Sequence, residues 1–187
     1  MEIKNDADLA EAIEKANGLM KSIHDYAGRD FSKPFKLRFP RGYVRTASEQ
    51  RGRLPFLSPG PLKDNIAYTL MLSDTTHWLL VRTDVSGTIK EQLIKMHLFL
   101  LGSLCESITK TYLKGRCGKN YKERTKFLLE ANEIDQTLSD DLGWLWDMRN
   151  NMHLFLVQDR EYNCPEYTIS NHNRAVRAFQ KLLNQLK

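Results

Sequence analysis

The sequence predicts an all-α protein, an antiparallel helical bundle with an irregular basic arm between its first two helices. Three observations carry that prediction. Apolar residues recur at steps of three and four through six separate segments, the period of a single helix face. Five of the six prolines, Pro34, Pro40, Pro55, Pro59 and Pro61, fall within residues 28–61 and break that period. The one stretch with strand-like alternation is FKLRF, residues 35–39, inside the same arm.

The first helix is expected over residues 6–27, with Leu9, Ile13, Ala16, Met20, Ile23 and Ala27 on one stripe. Asn5 or Asp6 can cap its start and Gly28 can end it. The arm follows as loop and irregular chain over 28–61. A second helix is expected over 62–82, through Leu62, Ile66, Leu70, His77 and Val81. After a turn at Thr83–Gly87, a long helix runs over 88–114, with Leu93, Met96, Leu100, Leu104, Ile108 and Leu113 in line. A shorter helix is expected over 121–131, another over 136–157, and the last over 171–186 with Ala175, Phe179 and Leu182 inward. Short connections between such helices favour antiparallel neighbours. The whole chain, 1–187, reads as one helical domain with the arm inserted, a size that can bury a full core.

Composition narrows the class further. Hydrophobic residues make up 41% and charged residues 27%, which fits neither a disordered nor a membrane chain. No apolar run reaches the ~18 residues needed to span a bilayer. The opening MEIKNDADLAEAIEK has neither the basic end nor the apolar stretch of a secretory leader, so a cytoplasmic location is expected. Cys105, Cys117 and Cys164 form no CxxC pair and read as reduced thiols.

The net charge of +5 is concentrated in the arm. Arg29 to Arg53 carries eight basic residues against Asp30 and Glu49, a local +6 that leaves the remainder near neutral. Lys33, Lys36, Arg38, Arg41, Arg45, Arg51 and Arg53 are candidates for phosphate contact, and Phe31, Phe35, Phe39 and Tyr43 are interleaved for base stacking. The alternative is that the rings pack on the bundle and the charges stay in water.

Most catalytic motifs are absent. GRCGKN, residues 115–120, has the wrong glycine spacing for a phosphate loop and follows a helix rather than a strand. There is no GxGxxG and no GxSxG elbow. Among the histidines, His24 and His77 have no second histidine or cysteine one helical turn away, and His97 lies within the apolar run KMHLFLL. No metal ligand set and no cofactor is therefore expected.

One constellation remains, in WLWDMRNNMHLFL, residues 144–156. On a continuous helix Arg149 and His153 would share a face, four residues apart. Arg149 would also interrupt the ladder Leu138, Leu142, Leu145, Arg149, Met152, Leu156. An arginine on such a stripe is costly unless it is paired or faces a partner. Attack of an RNA 2′-hydroxyl on its own phosphate requires a group that moves protons near neutral pH and a cation for the growing phosphate charge. Histidine and arginine fill those two roles, and Asn150 could orient either. A purely structural arginine, salt-bridged to Asp147 or Asp141, is the competing reading.

The order of segments adds a family resemblance. LFLLGSLCESITKTYL carries Glu106 on a long apolar helix, FLLEANEI follows a loop, then LGWLWDMRNNMHLFL, then RAVRAFQKLLNQL. This resembles the HEPN family of helical bundles (higher eukaryotes and prokaryotes nucleotide-binding), well over 88–187 and only in general architecture before that. The family motif is an arginine, four to six residues, then histidine. Here the Arg-Asn start matches at Arg149–Asn150, with three residues before His153 in a shortened Arg-Asn-x-x-His form. The His-x-Tyr control motif of some family toxins is not matched, because Phe155 stands at the tyrosine position.

The resemblance implies a homodimer with a composite cleft, RNA as substrate, and metal-independent endoribonuclease activity in phage defence, toxin–antitoxin pairing or RNA processing. It implies catalytic roles for Arg149 and His153, with Asn150 and Glu106 in support, Glu106 holding or balancing Arg149. An antitoxin or regulatory protein is an expected partner, and a membrane is not. Two other readings stay open: a non-catalytic HEPN-type module that binds RNA, nucleotide or protein, and a helical dimerisation scaffold.

Overall fold

The computed structural model describes residues 2–30, 32–33, 36–38, 42–118, 120–152 and 164–186. It is all-helical: the described residues hold seven helices and no strand. They are α1 (Asp6–Ala27), α2 (Ala47–Gly52), α3 (Pro61–Arg82), α4 (Gly87–Tyr112), α5 (Tyr121–Glu130), α6 (Gln136–Asn150) and α7 (Ile169–Gln185). The chain divides into two compact units, residues 1–39 and 40–187, so the boundary falls inside the basic arm.

The first unit is essentially α1. Asn5 caps it by accepting from the Asp8 N–H, and Gly28 ends it at φ 55, a left-handed conformation suited to glycine. Its apolar stripe is largely in water: Leu9, Ile13 and Met20 are exposed, and only Ala27 is buried. Beyond it, residues 36–38 are neither helix nor strand, while Phe35 and Phe39 lie outside the described residues.

The second unit is organised around α4. This helix packs against α3, α5, α6 and α7, and α6 also lies against α5 and α7. Its sequence explains the central place. Ile94, Leu98, Leu101, Leu104, Cys105 and Ile108 are all at most 2% exposed, more than a single stripe supplies. Leu128 of α5, Leu138, Leu142 and Leu145 of α6, and Ala175, Phe179 and Leu182 of α7 close the core around it.

The second half of the expected arm belongs to this unit. Residues 47–52 form α2, where irregular chain was expected. The cause is a capping box: Thr46 accepts from the Glu49 N–H and the Glu49 carboxylate accepts from the Thr46 N–H. Leu54 and Leu57 then insert fully into the core beside Ile66 and Leu70 of α3. Thus prolines at 55, 59 and 61 shape a packed connection that ends at the first residue of α3, a position proline favours.

The second correction concerns α6. The helix expected over 136–157 ends at Asn150 as far as the described residues run, to Met152. Asn151 is its C-cap, donating its N–H to the Asp147 carbonyl, and Met152 lies in a turn. Two consecutive asparagines explain the stop, since asparagine is a poor interior residue and a favoured helix end. The rest of that stretch, including His153 to Val157, lies outside the described residues.

Candidate functional site

The α6 ladder puts Leu138, Leu142 and Leu145 in the core, and Arg149 continues the same line to where the helix surfaces. Its guanidinium lies against α4. Nη2 is 3.3 Å from Glu106 Oε2, and Nη1 donates to Asn150 Oδ1 at 2.9 Å. The Phe99 ring of α4 and the Trp146 ring of α6 lie 5.8 and 5.1 Å from the guanidinium carbon. Trp146 is itself held by stacking on Tyr121, at 4.4 Å between ring centroids. Nε of Arg149 is buried and has no hydrogen-bond partner.

The geometry follows from spacing on α4. Phe99, Gly102 and Glu106 recur at three and four residues and so share the face turned to α6. Gly102 allows the close approach: a Cβ built there would lie 2.8 Å from the Arg149 Cβ. The side chains of Arg149 and Glu106 remain 26% and 27% exposed, so the pair sits at the protein surface, open to a ligand. The structure therefore brings Arg149, Asn150 and Glu106 together. His153, the fourth member expected here, lies outside the described residues.

The candidate phosphate-binding cations are divided. Lys33 donates to the Tyr26 carbonyl and lies over the Tyr26 ring in the first unit, where Lys36 and Arg38 are exposed. Arg41 lies outside the described residues. In the second unit Arg45 pairs with Asp74 at 2.9 Å, Arg51 with Asp64 at 3.2 Å, and Arg53 donates to Gln50 and Gln180. Of the interleaved aromatics, Tyr43 packs edge-on against Trp78, whereas Phe31, Phe35 and Phe39 lie outside the described residues.

A second cluster has no counterpart in the sequence reading. His77 of α3, His97 of α4 and His172 of α7 each place one ring nitrogen within 4.8 Å of the others. His97 Nε2 is 2.8 Å from Ser73 Oγ, and His97 Nδ1 is 2.8 Å from His172 Nε2. His172 Nδ1 faces Asn173 Oδ1 at 3.3 Å. His77 stacks on His172 and keeps a buried Nδ1 without a partner. Burial pushes all three rings below the usual histidine range, His97 to about 3; neighbouring imidazoles add to the effect at His97 and His172, whereas the Asp74 carboxylate opposes it at His77. No two of these histidines lie on one helix, so ligand spacing along the chain could not reveal them. The sole hint is a histidine within the apolar run around His97.

No family model matches the chain, and neither a curated protein nor a solved structure matches it significantly. No helix among the described residues is long and apolar enough to cross a membrane.

Proposed function

We propose that this chain is a HEPN-like, metal-independent endoribonuclease working as a homodimer, with RNA bound at the Arg149 surface. The observation that supports this most is the meeting of Arg149, Glu106 and Asn150 at a part-open surface flanked by two aromatic rings. A guanidinium held by a carboxylate and an amide is oriented before the ligand arrives, which lowers the ordering cost of binding. Phe99, exposed at that surface, gives it a ring on which a base can stack. Met96 and Phe99, exposed on the same helix, offer apolar area for a second copy.

In this reading Arg149 engages the scissile phosphate through its two terminal nitrogens and stabilises the charge that grows there. His153 removes the proton from the 2′-hydroxyl, which attacks phosphorus and expels the 5′-oxygen. The leaving 5′-oxygen takes a proton from water, so the products are a 2′,3′-cyclic phosphate and a free 5′-hydroxyl. Asn150 orients the guanidinium, and Glu106 balances it until the phosphate displaces the carboxylate. The basic residues around Lys33, Lys36 and Arg38 supply sequence-independent attraction. A cytoplasmic role in defence, toxin–antitoxin pairing or RNA processing, with an antitoxin or regulatory partner, accompanies the reading.

The end of α6 at Asn150 favours a second reading, a HEPN-type module that binds RNA, nucleotide or protein without cutting it. The deciding experiment incubates the purified chain with labelled single-stranded RNA in EDTA. Cleavage that falls by about 10²–10⁴ in both Arg149→Ala and His153→Ala, with helical circular dichroism intact, supports the nuclease. Salt-dependent binding with no cleavage by the unaltered chain supports the binding module. Cleavage that survives both substitutions rules out this site.

A further inference from the structure

The histidine cluster is separate from the Arg149 surface and calls for its own explanation. Its hydrogen bonding is the key. The Ser73 hydroxyl, 2.8 Å from His97 Nε2, can either donate to that nitrogen or accept from it, so it admits both tautomers of His97. Asn173 Oδ1 accepts from His172 Nδ1–H, leaving a lone pair on His172 Nε2. That lone pair faces His97 Nδ1 at 2.8 Å. With Ser73 donating, His97 Nδ1–H donates to His172 Nε2 and the metal-free pair is satisfied; with Ser73 accepting, two lone pairs face each other and a cation fits between them. His77 adds a third nitrogen, Nδ1, buried and unpartnered, which is the state of a polar atom that awaits a ligand.

We propose that His77, His97 and His172 form a binding site for a divalent transition metal ion of the zinc class. Three neutral imidazoles are a recurrent ligand set for such ions, and imidazole suits Zn²⁺, Cu²⁺ and Ni²⁺ rather than Mg²⁺ or Ca²⁺. With metal–nitrogen bonds of about 2.0–2.1 Å, two ligands of a tetrahedral ion sit about 3.3 Å apart. His97 and His172 need to open by roughly half an ångström to reach that spacing, and the His77 ring needs to turn inward. Low proton affinity of the three rings keeps them in the form that ligates. Ser73 and Asn173 then serve as the outer partners that fix each ring's tautomer, as metal-bound histidines ordinarily require.

His77 and His97 also line a cavity of ≈ 140 Å³ whose other walls include Arg45, Arg53, Asp74 and Gln180. Water fits there, and an anion would find Arg53 nearby. Because the ligands come from α3, α4 and α7, the ion would tie together three helices that lie far apart in sequence.

The test uses the full chain without an affinity tag, stripped of metal and titrated with Co²⁺ and Zn²⁺. The expected result is uptake of one Co²⁺ per chain with the visible absorption of a tetrahedral nitrogen-ligated site and no thiolate charge-transfer band. Zn²⁺ should displace it and raise the thermal midpoint by about 5–10 °C at a hundredfold excess over its dissociation constant. His77→Ala, the half-buried member, should abolish the cobalt spectrum while helical content is kept, and His172→Gln should do the same. His24→Ala should change nothing. Failure of the unaltered chain to bind, or a spectrum unchanged in His77→Ala and His172→Gln, overturns the site.

Discussion

Gly102 of α4 and Arg149 of α6 are in mutual contact, so close that an added methyl group at residue 102 would lie 2.8 Å from the arginine Cβ and 3.3 Å from the Leu145 carbonyl. A glycine inside a helix usually costs up to about 1 kcal/mol relative to alanine. At this position the missing side chain is what lets α6 bring the guanidinium to Glu106. Gly102→Ala is therefore expected to lower stability by about 1–3 kcal/mol, because overpacking outweighs the gain in helix propensity. Gly143→Ala on α6 is the control. A Cβ there meets nothing within 4 Å, so it should stabilise by about 0.5–1 kcal/mol. Urea unfolding of the two variants checks the pair, and equal shifts in the same direction would refute the packing argument.

The Glu106–Arg149 pair predicts a change in salt dependence. Both side chains are partly exposed, so removing the carboxylate charge should alter stability by less than about 1 kcal/mol. It would leave Arg149 more available to a phosphate. Glu106→Gln is expected to tighten RNA binding and to steepen the plot of log affinity against log salt by about one. Arg149→Ala should make the same plot shallower by about one. Fluorescence anisotropy over a salt series provides the measurement, and parallel lines for all three proteins would show that Arg149 touches no phosphate.

What the sequence makes legible here depends on the range of the interaction. α1 and α7 rest on periodicity and caps within a few residues of each end, and both are found close to where those signals place them. The pairing of Glu106 with Arg149 follows from a family resemblance, since no local pattern relates two residues on different helices. α2 was legible in principle from Thr46 and Glu49 at capping-box spacing, but prolines and charge on both sides of it concealed the signal. The stop at Asn150 depended on giving two asparagines more weight than the apolar residues after them. The histidine cluster was not legible, because it exists only once α3, α4 and α7 have packed.

Thiol chemistry should distinguish the three cysteines. Cys105 is fully buried in the core, and burial pushes its thiol up to about 12 from 9.0. Cys117 and Cys164 are part-exposed. Burial therefore keeps the Cys105 thiol protonated, the unreactive form, before access is considered. Native alkylation with iodoacetamide is expected to modify Cys117 and Cys164 and spare Cys105, with the third adduct appearing only on unfolding. Peptide mass mapping reads this directly, and prompt native labelling of Cys105 would contradict the packing of α4.

The start of α6 predicts an acid-sensitive step. Asp135 accepts from the Leu138 N–H at 2.9 Å as the N-cap, from Lys181 Nζ at 2.8 Å and from Gln185 Nε2 at 2.9 Å, so one carboxylate ties α6 to α7. The Lys181 ammonium does most to hold its value down, from 3.8 to about 2, with the Leu138 N–H next. The folded-state value lies below the unfolded one. Its stabilising contribution is therefore complete above pH 4 and is lost as pH falls through the window from about 4 to 2. Asp135→Asn keeps a competent cap but loses the charge. The thermal midpoint of the variant should lie below that of the unaltered chain at pH 7, and the two should converge as pH approaches 2. A gap that stays constant across that window would mean the carboxylate charge contributes nothing to joining these helices.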